Sequence, residues 1–205
     1  MISILNIILG ILGVLAMIMM LVVIVNHFKL NNRTYVKSSF DNNSYYVNDV
    51  KDKDVAANIL SEIKRRFNVL HSHLRDNAEK YPAMYPYIKQ FCQNIKHCKF
   101  VENNDNKTTS YIKNKGPIIT LCLRSKATNL FHDINLIMYV VLHELSHAAC
   151  PELEHTDLFI EIFVFFQLIA INLGIYDGVD YSLNPKEYCG IPIKDNLLSE
   201  DSGMI

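Results

Sequence analysis

Met138-Tyr139-Val140-Val141-Leu142-His143-Glu144-Leu145-Ser146-His147 places an H-E-x-x-H motif inside an apolar run of helical spacing. Side chains four apart share one face of a helix, so the imidazoles of His143 and His147 can reach a single metal ion. Glu144 sits beside them, free to take a proton from a metal-bound water instead of ligating. A carboxylate and two imidazoles buried on such a helix without a metal would be costly. The motif predicts a zinc hydrolase, with a peptide bond as its expected substrate.

Catalytic zinc takes three protein ligands and leaves its fourth position to water or substrate. His155 lies eight residues past His147, beyond the helix end that Pro151 imposes, where a turning chain can bring it back over the metal. The expected ligands are therefore His143, His147 and His155, with Glu144 as general base. Glu161 is the rival third ligand, because a carboxylate inside so apolar a run demands a partner. Asp157 reads as a helix N-cap or as an acceptor that fixes an imidazole tautomer. Tyr181 and Tyr188 follow the site in chain order and are candidate donors to a developing oxyanion, although a core or surface position suits each as well.

Outward from the motif, helical spacing begins near Leu130 and ends at Ala149. A second apolar helix follows over 157–173, with Gly174 placed to stop it. About 17 residues, interrupted by Glu161, Gln167 and Asn172, make it a buried core helix rather than a membrane span. On the N-terminal side, Val55, Ile59, Leu60, Ile63, Phe67, Leu70 and Leu74 predict an amphipathic helix over 54–76. His71 and His73 near its end read as solvated. A further helix carries Ile88, Phe91, Cys92 and Ile95 after the Tyr-Pro pairs at 81–82 and 85–86. Strands are expected at 34–36 and 45–47 around the turn-like Asp41-Asn42-Asn43, and at 111–112 and 118–123 around Lys113 to Pro117. The 118–123 strand is either an ordinary strand of the sheet or an edge for pairing with an extended substrate. Residues 102–108 read as a loop, and the tail from Tyr181 as irregular, with turns at Asn184-Pro185 and Cys189-Gly190.

Met1 to Val25 contains no charged side chain. That length crosses a hydrocarbon core of about 30 Å as a helix. A cleaved signal peptide would want a basic n-region, a shorter apolar stretch and a small-residue cleavage site. Lys29, Arg33 and Lys37 follow the span, so the positive-inside bias puts the C-terminal part on the cytosolic side. The Asn32, Asn42 and Asn106 sequons argue the other way. The chain has 205 residues and a net charge of −1, with its basic and acidic residues interleaved, which gives no reason to expect nucleic acid as a partner. Its five cysteines are irregularly spaced and show neither a disulfide framework nor a CxxC metal site.

His143-Glu-Leu-Ser-His-Ala-Ala-Cys-Pro-Glu-Leu-Glu-His-Thr-Asp-Leu-Phe159 resembles the extended signature of the WLM and SprT-like zinc peptidases. In those minimal zincins a third His and then a Phe follow H-E-x-x-H; here the positions are His155 and Phe159, across a loop longer than in WLM proteins. The N-terminal span, AANILSEIK (56–64), KGPIITLCLR (115–124) and NPKEYCG (184–190) together also resemble membrane-anchored metallopeptidase-like proteins of large nucleocytoplasmic DNA viruses. The resemblance implies an α+β fold: a transmembrane anchor over 1–26, a linker with a β-hairpin over 27–50, and a small zincin-like domain over 51–205. In that domain a mixed sheet packs on the motif helix and a following buried helix. It implies a Zn2+ cofactor, a protein or peptide substrate, and a single-pass location in a host or virion membrane. The alternative is a non-catalytic zinc-binding structural protein of a membrane or virion. Oligomeric state is not legible.

Overall fold

A computed structural model describes residues 4–30, 32–105 and 107–194. The chain divides into two units, the first ending at Arg33. That unit carries α1 (Ile4–Leu30), whose apolar side chains are exposed over Ile8–Val25. Among the described residues it is the one helix long and apolar enough to cross a membrane; a signal sequence has the same character. The Asn106 sequon and the last eleven residues of the tail (195–205) lie outside the described residues.

The second unit is α+β. Its elements run β1 (Arg33–Lys37), β2 (Ser44–Asn48), α2 (Lys53–Asn77), α3 (Tyr85–Asn94), β3 (Lys99–Glu102), β4 (Tyr111–Lys113), β5 (Ile118–Leu121), α4 (Ile134–Ala149), α5 (Asp157–Asn172), β6 (Lys186–Tyr188) and β7 (Ile191–Ile193). Five strands form a mixed sheet in the order β1-β2-β3-β5-β4, parallel from β2 through β5 and antiparallel at β4. Pairing of Ile112 with Ile119 and of Val101 with Thr120 fixes the register. Strand β5 is thus interior and buried on both faces, an ordinary sheet strand, and β4 is the edge, which corrects the expectation of a substrate-pairing edge at 118–123. Helix α2 lies on the sheet through Leu60, Ile63, Phe67 and Leu70, the residues its periodicity singles out.

Helix α4 packs between α3 and α5 and contacts β4 and β5. It starts at Ile134 and not near Leu130, because the Asp133 carboxylate caps it by accepting from the Asn135 and Leu136 N–H groups. Leu130 is exposed, in a loop closed by the Arg124–Phe131 bridge. Thr156, not Asp157, caps α5 through a bond from the Phe159 N–H. Eight buried side chains, Phe159 and Phe163 among them, make α5 a core helix. His71 and His73 are half-buried rather than solvated: one ring stacks on Phe67, and the other bonds the Tyr81 hydroxyl at 3.0 Å.

Gly116 closes the β4–β5 turn where α3 and α4 end. Any Cβ there would run into the backbone carbonyl of Asn94, whose side-chain amide donates to the Ala148 carbonyl at 2.8 Å. Gly116→Ala should therefore destabilise the domain by about 1–3 kcal/mol, the range for overpacking, read as a lower urea midpoint with unchanged m.

Candidate metal centre

His143 and His147 project from one face of α4, one turn apart, and the chain after Pro151 returns His155 to the same point. His155 Nε2 lies 3.1 Å from both His143 Nε2 and His147 Nε2. Tetrahedral ligands at a metal–nitrogen distance of 2.0–2.1 Å stand about 3.3 Å apart, so the cluster has the dimensions of three imidazoles around one ion. Without a cation the arrangement is poor: protons can bridge only some of these nitrogens, and lone pairs face each other across the rest. Phe159, buried on α5, holds the set in place, its ring centroid 5.0, 4.4 and 4.7 Å from those of His143, His147 and His155.

Burial and the neighbouring imidazoles hold His143 near a pKa of about 3, and burial, His155 and Lys115 hold His147 near 4. Both rings are neutral at pH 7, as ligation requires. Glu144 is buried beside them, and that burial pushes its carboxyl up to about 7 against the lowering effect of a bond from the Ile112 N–H on β4. These shifts give a pH signature in chelated protein. The two histidines bind protons in the unfolded chain below 6.5 but not in the fold, so their contribution to stability is lost as pH falls from 6.5 towards 4. Glu144, raised from 4.5, acts in the opposite sense between pH 7 and 4.5. Glu144→Gln removes that opposition and should steepen the acid loss, measured as urea midpoints between pH 7 and 5.

A cleft of about 760 Å³ opens over the cluster, lined by His143, Glu144, His147, His155, β4 and the β6–β7 hairpin. Tyr188 forms part of its wall, with its hydroxyl 2.6 Å from Ser110 Oγ, which also accepts the Cys122 N–H at 3.0 Å. Tyr181 instead packs edge-on against Tyr139 in the core. Glu161, the rival ligand, is exposed on α5 and lines a separate cavity with Lys80 and Tyr81. Asp157 occupies the exposed first turn of α5.

Three features of this region were not expected from sequence. The tail forms the β6–β7 hairpin in place of irregular chain. Cys122 and Cys189 are joined as a disulfide across 67 residues, with Cα atoms 6.3 Å apart, while Cys92, Cys98 and Cys150 are free. His132 adjoins that pair, so Cys122, His132 and Cys189 form a second group whose ligand atoms lie within 4.8 Å of one another. The hairpin had one sequence signal, a Cys189-Gly190 pair between Tyr188 and Ile191; Ser110 had none.

No protein-family model and no solved structure matches the chain. Similar proteins come from large DNA viruses. Uncharacterized protein R325 of Acanthamoeba polyphaga mimivirus is 49% identical over 166 residues, covering 80% of this chain and 84% of its own length. Uncharacterized protein 042R of Invertebrate iridescent virus 3 is 42% identical over 93 residues, 45% of this chain and 54% of that protein. Uncharacterized protein 136R of Invertebrate iridescent virus 6 is 37% identical over 82 residues, 39% of this chain and 44% of that protein. The extent of the first match decides the relationship: this chain belongs to the same viral protein family as R325 of mimivirus.

Proposed function

We propose that this chain is a membrane-anchored zinc peptidase of minimal zincin type, similar to the WLM and SprT-like enzymes. The observation that carries the reading is the convergence of three Nε2 atoms beside a buried carboxylate in an open cleft. All-imidazole ligation with one open position suits zinc. Zinc so held supplies Lewis acidity, bringing the pKa of a bound water towards about 7 and polarising a scissile carbonyl.

The chain's own groups do the rest. Glu144, with its carboxyl raised towards neutrality by burial, accepts the proton of the attacking water and returns it to the leaving amine. Strand β4, the free edge of the sheet, offers its outer backbone groups to an extended peptide and aligns the bond to be cut across the cleft. Ser110 and Tyr188 share a single hydrogen bond between two hydroxyls, so one O–H remains to donate towards a carbonyl oxygen. Helix α1 supplies the membrane anchor, with the catalytic unit on the cytosolic side.

The test uses full-length protein in detergent micelles. Elemental analysis should find one zinc per chain, lost in His155→Ala, and an unfolded protein pool should be cut by wild type, spared with chelator and cut again on zinc addition. Bound zinc without cleavage would favour a structural metal site; folded protein that takes up no zinc would end both readings.

A further inference from the structure

We propose that Cys122 and Cys189 form a thiol–disulfide latch that holds the β6–β7 hairpin as one wall of the histidine cleft, and that a dithiol reductant releases it. Among the described residues, the hairpin's strands pair with each other alone. A lone two-stranded hairpin is marginal in water and needs anchors from elsewhere in the fold. Here the anchors gather at its tip: the buried Tyr188 ring, its hydroxyl bond to Ser110, and the sulfur bridge of Cys189. Cys189 and Gly190 form the two-residue turn between Tyr188 and Ile191, with φ of 51° and 85°. Both are left-handed, as a type I′ turn requires, and the first of these positions favours Asn, Asp or Gly. A cysteine in that strained position is sustained by what its side chain reaches, which is Cys122 at the end of β5.

His132 stands beside the bridge and seats its turn. Its Nε2 lies 3.8 Å from Cys189 Sγ and accepts the Cys189 N–H at 3.3 Å, and the half-buried ring packs at a tilt against Tyr188, centroids 4.8 Å apart. Cys122 is the less deeply buried residue of the pair, 7% exposed against 2% for Cys189. In the exchange, one thiolate of the dithiol attacks Cys122 Sγ and the bond to Cys189 breaks, and the released thiolate takes a proton from solvent. The second thiol then closes the reductant's own disulfide and frees Cys122. Two electrons and two protons pass to the protein, and the dithiol is oxidised to a disulfide. Tyr188, Ile191 and Ile193 line the cleft, so a released hairpin removes a wall from above Glu144 and the three histidines.

The test compares full-length protein in detergent micelles, purified without reductant, before and after a small-molecule dithiol. Peptide mass spectrometry should find the 122–189 crosslink before treatment only. Trypsin cleavage after Lys186 and Lys194 should then rise at least tenfold. Cys189→Ser and Cys122→Ser should each cleave at the reduced rate in both conditions, and neither should respond to reductant. Unchanged cleavage after complete reduction overturns the proposal, as does a second zinc held by both cysteines as free thiols. Cleavage is read without turnover and without the histidine-bound metal, so this result is independent of the peptidase reading.

Discussion

Glu144→Gln should lower peptide hydrolysis by about 10²–10⁴-fold, the contribution of a positioned general base, with zinc still bound at wild-type stoichiometry. The amide has the size of the carboxylate and keeps an oxygen that can face the Ile112 N–H. It cannot take a proton from water. Since Glu144 is no ligand in this reading, His143, His147 and His155 keep their spacing, so activity and metal content should separate. Burial already disfavours the Glu144 charge, so the variant should unfold at a urea concentration no lower than wild type at pH 7.5. Turnover unchanged by the substitution would remove Glu144 from the chemistry. Loss of zinc together with turnover would show that it acts on the metal directly.

Arg124→Met should destabilise the domain by about 3–5 kcal/mol at neutral pH, the cost of leaving a buried charge without its partner. Glu102 is 1% exposed, with Oε1 3.0 Å from Arg124 Nε and Oε2 accepting the Asn48 N–H at 2.8 Å. Arg124 also pairs with Asp52 at 2.6 Å and lies over the Phe131 ring at 3.8 Å. Burial already raises the Glu102 carboxyl above its ordinary value of 4.5, with Asn48 and Arg124 lowering it in part. Removal of the guanidinium raises it further, so the folded variant holds a proton that the unfolded chain gives up. Stability of that kind is present below the unfolded value of 4.5 and lost as pH rises through the folded one. The deficit should therefore be smaller at pH 5 than at pH 7.5. Pairing the change with Glu102→Leu should recover most of it, as apolar replacements of buried ion pairs do. Equal deficits at both pH values would refute this account.

Strand β3 shows why part of the fold escaped sequence reading. Its inward residues are Phe100 and Glu102, and a charged residue at a core position breaks the alternation that marks a half-buried strand. Only the fold reveals that Arg124, 22 residues on, neutralises it. The β6–β7 hairpin escaped although Cys189-Gly190 marks its turn, because its strands are three residues each, too short to show alternation, and one of them carries Pro192. Helices α2, α4 and α5 were legible because each buries one stripe or nearly all of its surface, and periodicity records both. The meeting of His155 with the α4 histidines could be expected from Pro151 and the spacing. That β4 and not β5 forms the rim could not, because strand order depends on pairings remote in sequence.

Lys115 sits in the turn between β4 and β5, and its ammonium donates to the carbonyls of Cys150, Pro151 and Glu152 at 2.8, 3.0 and 3.2 Å. Those carbonyls begin the return path to His155, and Thr156, bonded to the Glu152 side chain, closes it as α5 starts. The path is moored at both shores, so only the span between them is free to lengthen or shorten. Kinship at this centre should therefore be judged by the moorings and the rings they deliver, and the number of residues between the second and third histidines is a poor yardstick of descent.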